Sequence, residues 1–141
     1  MLRILLLTVQ ELPHGPFTEI GDNFLHFLKK YACVEKRSYK TTQALLEKAP
    51  ANAFLLDEAG KTYTSLYFAN LLQEYEDNGN TLCFILGGPN GFTKEQKAPF
   101  QKISLSPMTT THDLAHLFLL EQLFRGLSIV HGSSYHREEP K

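Results

Sequence analysis

The residues best equipped for chemistry lie in the last quarter of this 141-residue chain. Ser134-Tyr135-His136-Arg137-Glu138 gathers a phenol, an imidazole, a guanidinium and a carboxylate, groups able to accept a proton, hold an anion and hydrogen-bond a substrate. Chain ends fray, so an unstructured tail is the competing reading. Glu121 and Arg125 stand four apart in acid-before-base order, the spacing of a helical ion pair. On a solvated face such a pair contributes only ~0.3 to 0.5 kcal/mol. Here it interrupts a strongly apolar stretch, which makes burial or an interface at least as good a reading. His112 and His116 would also share a helix face, and His-Asp-Leu-Ala-His is a near miss to the zinc-protease pattern. Asp113 is one methylene short of the glutamate that pattern needs, and a third ligand is wanting apart from the distant His131 or His136. A capping histidine and a helix-surface histidine account for the pair, and no metal is expected.

A second cluster is made of backbone rather than side chains. In Ile85-Leu-Gly-Gly-Pro-Asn-Gly91, Gly87 and Gly88 lack Cβ atoms and allow a ligand to touch the main chain, while Pro89 and Asn90-Gly91 bend the path sharply. Taken alone, this is a tight strand-to-helix turn. It matches neither the dinucleotide-binding nor the phosphate-cradling glycine pattern, so nucleotide phosphate binding has no support.

The elements that must position these groups alternate. Leu2 to Val9 reads as a buried first strand, followed by a helix striped by Phe17, Ile20, Phe24, Leu28 and Tyr31. Ala32 to Tyr39 reads as a short edge strand, Thr42 to Ala49 as a short helix, and Ala53 to Leu56 as a strand running into the turn Asp57-Glu-Ala-Gly60. A helix from about Thr64 to Gly79 precedes the strand Leu82 to Leu86. A helix over Thr93 to Phe100, a strand over Lys102 to Leu105 and a final helix striped by Leu114, Leu117, Leu120, Phe124 and Leu127 complete the chain. This alternation implies an α/β fold with a parallel sheet flanked by helices. Open sheets of this kind bind ligands beyond the carboxyl ends of their strands, which points to the loops after Leu56, Leu86 and Leu105.

The length, with 43% hydrophobic residues, suits a single domain over residues 1–141. Fourteen basic residues against fifteen acids give a net charge of -1, so the chain lacks a global electrostatic footprint for nucleic acid. Any RNA contact must rest on local clusters or on a large partner that supplies other contacts. The apolar run near the N-terminus is too short for a signal sequence or a membrane span, and a cytoplasmic protein without a membrane partner is expected. Cys33 and Cys83 lie fifty residues apart without metal or redox spacing and read as reduced core thiols.

Taken together, Leu-Leu-Asp-Glu-Ala-Gly-Lys around Leu56, Ile-Leu-Gly-Gly-Pro-Asn-Gly around Gly87, Leu105-Ser-Pro-Met-Thr-Thr110 and the Tyr135-His136-Arg137 ending resemble the RlmH-type branch of the SPOUT methyltransferases. The resemblance implies a parallel sheet with a C-terminal deep trefoil knot, a known exception to the rule against knotted chains. It implies an S-adenosylmethionine (SAM) pocket lined by Leu56, Gly87 and the stretch Leu105, Ser106, Pro107, Met108, Thr109 and Thr110. It implies a homodimer built largely on the last helix, with Glu121 and Arg125 near the active site and substrate or catalytic roles for Tyr135, His136 and Arg137. The implied reaction is methylation of N3 of a pseudouridine in 23S rRNA of the assembled ribosome. This chain departs from the pattern in four ways. The lysine-rich segment before the second helix is short, Asp113 stands where Pro usually follows His112, His116 replaces an Arg, and Ser134 replaces the Pro before Tyr-His. The rival reading is a non-catalytic ribosome- or RNA-binding module on the same fold, and cofactor binding discriminates the two.

Overall fold

The Leu, Ile and Val run at the N-terminus forms strand β1 (Leu2–Val9), and a strand can be apolar at successive positions only if both faces of its sheet are covered. The computed structural model describes residues 1–137; Glu138 of the tail motif lies outside the described residues. After β1 come α1 (Pro16–Leu28), β2 (Ala32–Tyr39), α2 (Thr42–Lys48), β3 (Phe54–Thr62), α3 (Ser65–Asn78), β4 (Leu82–Leu86), α4 (Lys94–Lys97), β5 (Gln101–Ser104) and α5 (His112–Val130). The five strands pair in the order β2-β1-β4-β3-β5, every pairing parallel. Each of the five residues of central β4 is buried, while β2 at the edge exposes its middle.

Alternation along the strands divides the core in two. Ile4, Leu6, Leu82 and Phe84 pack with residues of α1, α3 and α5. Leu7, Leu55, Cys83 and Ile85 face the other way, onto Leu45 of α2 and the half-buried Phe92 and Phe100. Helix α5 lies between α1 and α3 and touches both. Its N-terminus is fixed by Thr111, whose hydroxyl accepts from the Leu114 N–H at 3.4 Å. At its far end His131 stacks on Tyr31 with ring centroids 4.9 Å apart and bonds Glu76 at 3.0 Å.

The structure corrects several sequence expectations. Strand β3 does not stop at Leu56. It leaves the ladder at Asp57 and returns at Lys61, so that Leu56 and Lys61 both register against Ile103 of β5. At the return Gly60 lies so close that a Cβ would stand 2.7 Å from the Lys102 carbonyl carbon and 2.8 Å from the Ile103 nitrogen. Since only backbone could move, Gly60→Ala is expected to lower unfolding free energy by about 3 kcal/mol, measured by urea denaturation. A loss below about 1 kcal/mol would show that β5 yields there. Helix α4 is one turn rather than two, and α1 ends before Tyr31, which joins the core from the following turn. Cys83 is a buried thiol, pushed up to about 11 chiefly by burial, but Cys33 is exposed, because its side chain leaves edge strand β2 on the open side. On α5 the core face is Leu119, Leu120, Leu123 and Leu127; Leu114 stays exposed, while Leu117 and Phe124 are half-buried.

Candidate active site

Parallel pairing brings the carboxyl ends of β3, β4 and β5 to one edge, and the loops leaving them enclose a cavity of about 540 Å³. One wall is the β3 excursion, with Leu56, Asp57 and Glu58. The floor is Gly87 and Gly88, from which the chain turns through Pro89 and Asn90. The Gly91 N–H donates to the Gly88 carbonyl at 3.0 Å, and Gly91 takes a left-handed φ of 62°. The third wall follows β5 with Leu105, Ser106, Met108 and Thr110, then His112, Ala115 and His116 on the first turns of α5. The Ser104 hydroxyl donates to the Ser106 carbonyl at 2.8 Å, and the Met108 N–H donates to the Ser106 hydroxyl at 3.1 Å, so this loop is shaped by its own serines.

Of the residues the resemblance assigns to a pocket, the structure brings together Leu56, Gly87, Leu105, Ser106, Met108 and Thr110; Pro107 and Thr109 are outside the lining. Sequence reasoning missed Asp57, Glu58, Phe92, Lys97 and His116 as lining residues. The Asp57 carboxylate is held 3.0 Å from Lys97 Nζ and accepts the Ala59 N–H. Burial alone would raise its pKa, but the hydrogen bonds from Lys97 and Ala59 outweigh it and the net direction is down.

His116 separates this cavity from a smaller one of about 30 Å³ between α1 and α5, which Lys36 and Asp113 also line. Its Nε2 is buried without a hydrogen-bond partner among the described residues. Asp113 Oδ1 is likewise unpartnered, lying 2.8 Å from His112 Nε2 at an angle that makes no hydrogen bond. Burial, with His112 and Lys36 nearby, pushes the His116 pKa down to about 4, against the opposing pull of Asp113 and the Gly87 backbone. As pH falls from 6.5 toward 4 the unfolded state takes up this proton first, so the stability contribution is full above 6.5 and declines below it. By pH 5 the loss should be about 2 kcal/mol. Urea midpoints at pH 7 and pH 5 should therefore differ more for the wild type than for His116→Gln; an equal fall in both would reject the assignment. Among the described residues no group of three His, Cys, Asp or Glu side chains is arranged to hold a metal.

The tail residues form a separate cluster. The Arg125 Nε donates to Glu121 Oε1 at 2.7 Å, and its Nη1 lies 3.1 Å from His136 Nδ1. Arginine has only donors, so His136 Nδ1 accepts. The guanidinium also covers the Tyr135 ring at 4.9 Å, and that ring meets Phe124 edge to face at 4.8 Å. Burial and the Glu121 carboxylate raise the Tyr135 pKa, against Arg125. Arg137 is exposed. None of Glu121, Arg125, Tyr135, His136 and Arg137 lines the large cavity. Far from being loose, Tyr135 and His136 are seated on their own helix.

A family model described as Predicted SPOUT methyltransferase matches residues 2–136. The chain belongs to the SPOUT methyltransferase family. It is similar to the Ribosomal RNA large subunit methyltransferase H of Flavobacterium psychrophilum, 46% identical over 86 residues that make up 60% of this chain and 55% of the relative. With the protein of that name from Neisseria meningitidis serogroup A it is 42% identical over 97 residues, 67% of this chain and 62% of the relative. The match thus spans less than two thirds of either relative. With that of Prochlorococcus marinus it is 40% identical over 132 residues, 93% of this chain and 82% of the relative. Two solved structures share the fold of this chain. One is a methyltransferase of Legionella pneumophila with bound cofactor SAM, at TM-score 0.53 and 16% identity over 86% of this chain and 65% of the other. The other is TrmJ from Z. mobilis, at TM-score 0.53 and 11% identity over 99% of this chain and 73% of the other. No helix of the described residues is long and apolar enough to cross a membrane.

Proposed function

We propose that the chain is a SAM-dependent methyltransferase that methylates N3 of a pseudouridine in 23S rRNA of the assembled ribosome. The observation that carries this reading is the convergence of the Leu56, Gly87 and Leu105–Thr110 loops on one cavity in a chain of this family. The residues present fit the cofactor. A cavity of about 540 Å³ is of ligand size, its walls are apolar with a few polar groups, and the buried His116 Nε2, which has no hydrogen-bond partner among the described residues, offers one to a ligand. A Cβ on Gly87 would stand 3.1 Å from the Phe92 ring, so the bare glycine leaves the floor open to the ligand.

When bound, SAM supplies an electrophilic methyl on a sulfonium, which passes to nitrogen as the N–C bond forms and the S–C bond breaks. The chain's own part is to align the reactants and handle the proton, because in-line displacement depends mostly on positioning. The imide N3 must lose a proton to become nucleophilic. The guanidinium of Arg125 or Arg137 stabilises the resulting anion, and His136 takes the proton. The atom that takes it is Nδ1, so the bond from Arg125 gives way to the N3–H as the base enters. Glu121 orients Arg125, and Tyr135 packs against it.

A cytoplasmic homodimer containing the family's trefoil knot completes the proposal. Phe17, Ile20 and Phe27 of α1 and Leu114 of α5 are 43 to 47% exposed along neighbouring helices, a strip that a second copy would cover while bringing its own tail to the site. Sedimentation at micromolar concentration should give twice the 16.0 kDa chain mass, and a purely monomeric species would remove the dimer from the proposal. The central experiment is calorimetric titration with SAM followed by mass spectrometry of 23S rRNA from ribosomes incubated with enzyme and cofactor. Tight binding and a gain of one methyl group are expected. Binding without methylation would favour loss of chemistry, and absence of both would refute the reading.

A further inference from the structure

Beside the cofactor cavity, and sharing Ile103, Leu105 and Phe118 with it, lies a second pocket of about 80 Å³ between the start of α3 and α5. It is too small for the cofactor. Its distinctive residues are Tyr63, Ser65 and Gln122. The Ser65 hydroxyl donates to Gln122 Oε1 at 2.8 Å, and Gln122 Nε2 donates to Glu121 Oε2 at 3.3 Å. Since Glu121 also accepts from Arg125, and Arg125 from its other side bonds His136, one hydrogen-bonded chain runs from the tail to this pocket. The tail cluster, which does not line the large cavity, is thereby wired to its immediate neighbour.

We propose that this second pocket seats the methyl-accepting base, with Tyr63 offering an aromatic surface and Ser65 and Gln122 reading its N1–H and the carbonyl beside it, so that N3 faces the cofactor cavity. The proposal rests on the reading of the chain as an RNA methyltransferase. Three observations carry it. The acceptor must lie next to the methyl donor, and this pocket shares a wall with the cofactor cavity. After bonding each other, Ser65 and Gln122 keep acceptor lone pairs, and Gln122 keeps one amide N–H, a set that complements the N1–H of a pseudouridine and the carbonyl beside it and leaves N3 free. Unpaired bases are held by proteins through stacking on aromatic rings with a cation nearby, and Lys61 Nζ stands 5.2 Å from the Tyr63 ring centroid, placed to meet a phosphate. The β3 excursion is what puts Lys61 and Tyr63 there, because the strand rejoins β5 at Lys61 rather than turning away. Gln122 contacts the base and, through Glu121, links it to Arg125.

The test separates this pocket from the cofactor site. Wild type and the variants Tyr63→Ala, Tyr63→Phe, Ser65→Ala and Gln122→Leu are titrated with SAM by calorimetry and assayed on ribosomes. In parallel, the side-chain amide signals of Gln122 are followed by NMR during titration of wild type with pseudouridine 5′-monophosphate in the presence of S-adenosylhomocysteine. Tyr63→Ala and Gln122→Leu should keep wild-type SAM affinity while kcat/KM on ribosomes falls roughly 10- to 100-fold, Tyr63→Phe should recover most of it, and the Gln122 amide signals should move saturably. Wild-type kcat/KM in Tyr63→Ala and Gln122→Leu, an unmoved Gln122 amide, or SAM affinity falling in step with activity would overturn the pocket while leaving the methyltransferase reading intact. Failure of the wild type itself to bind SAM would remove that reading and this proposal with it.

Discussion

Gly87→Val is expected to weaken SAM binding by roughly 100-fold or more while leaving the circular-dichroism spectrum unchanged. The position is at the end of β4, where the chain turns toward Pro89 and forms the floor of the large cavity. A first added carbon would already meet Phe92 at 3.1 Å, and the two methyl groups of valine would take space from the cavity itself. Gly87→Ala should be intermediate, because the Phe92 ring is the far end of a side chain and can give by a few tenths of an ångström. The fold should survive, since the sheet and both core layers are built without this residue. Undiminished SAM binding by Gly87→Val would move the cofactor elsewhere on the protein.

The strands of the buried sheet were legible because their apolar runs have a single physical explanation, coverage on both faces. The edge placement of β2 followed from its charged middle, Glu35-Lys-Arg37. What could not be read were features decided by tertiary approach. Asp57 to Gly60 has the composition of a turn, and only the pairing of Lys61 and Thr62 with Ile103 and Ser104 makes it an excursion within one strand. The periodicity of α5 marked an amphipathic helix, but with apolar residues almost all the way round, which of them face the core depends on α1 and α3 on either side. The same limit applied to the site. Glycines after a strand announce a possible ligand floor, whereas the lining positions of Asp57, Lys97 and His116 arise from loops that meet only in the folded chain. His116 carried a signal that went unused, being one of the departures from the family pattern, and its orphaned Nε2 lies on the cavity wall. Cys33 was misread because alternation along an edge strand has no second layer to bury it.

Removing the tail after Ser133 is expected to spare the fold and abolish most methyl transfer. The cut keeps the Ser133 N–H bond to the Ser128 carbonyl at 2.8 Å that closes α5, and it keeps His131 on Tyr31 and Glu76. Among the described residues, what the fold loses is chiefly the Tyr135 contact with Phe124, worth about 1 kcal/mol. What the site loses is the His136 imidazole, the Arg137 cation and the partner that orients Arg125, so transfer to ribosomes should fall roughly 100- to 1000-fold with SAM affinity unchanged. Arg125→Ala should cost a similar amount, because the same contact is broken from its other side. The combination then decides whether the two act as a unit. If Arg125 and the tail work through each other, the truncated Arg125→Ala protein should be little worse than either single change, whereas independent roles would multiply the losses. A truncated protein that methylates at the wild-type rate would strip the tail of any part in the chemistry. One that unfolds would make the tail structural, and would show that the exposed Tyr135 ring and the partly buried Arg125 bridge hold α5 far more strongly than one ring contact and one ion pair should.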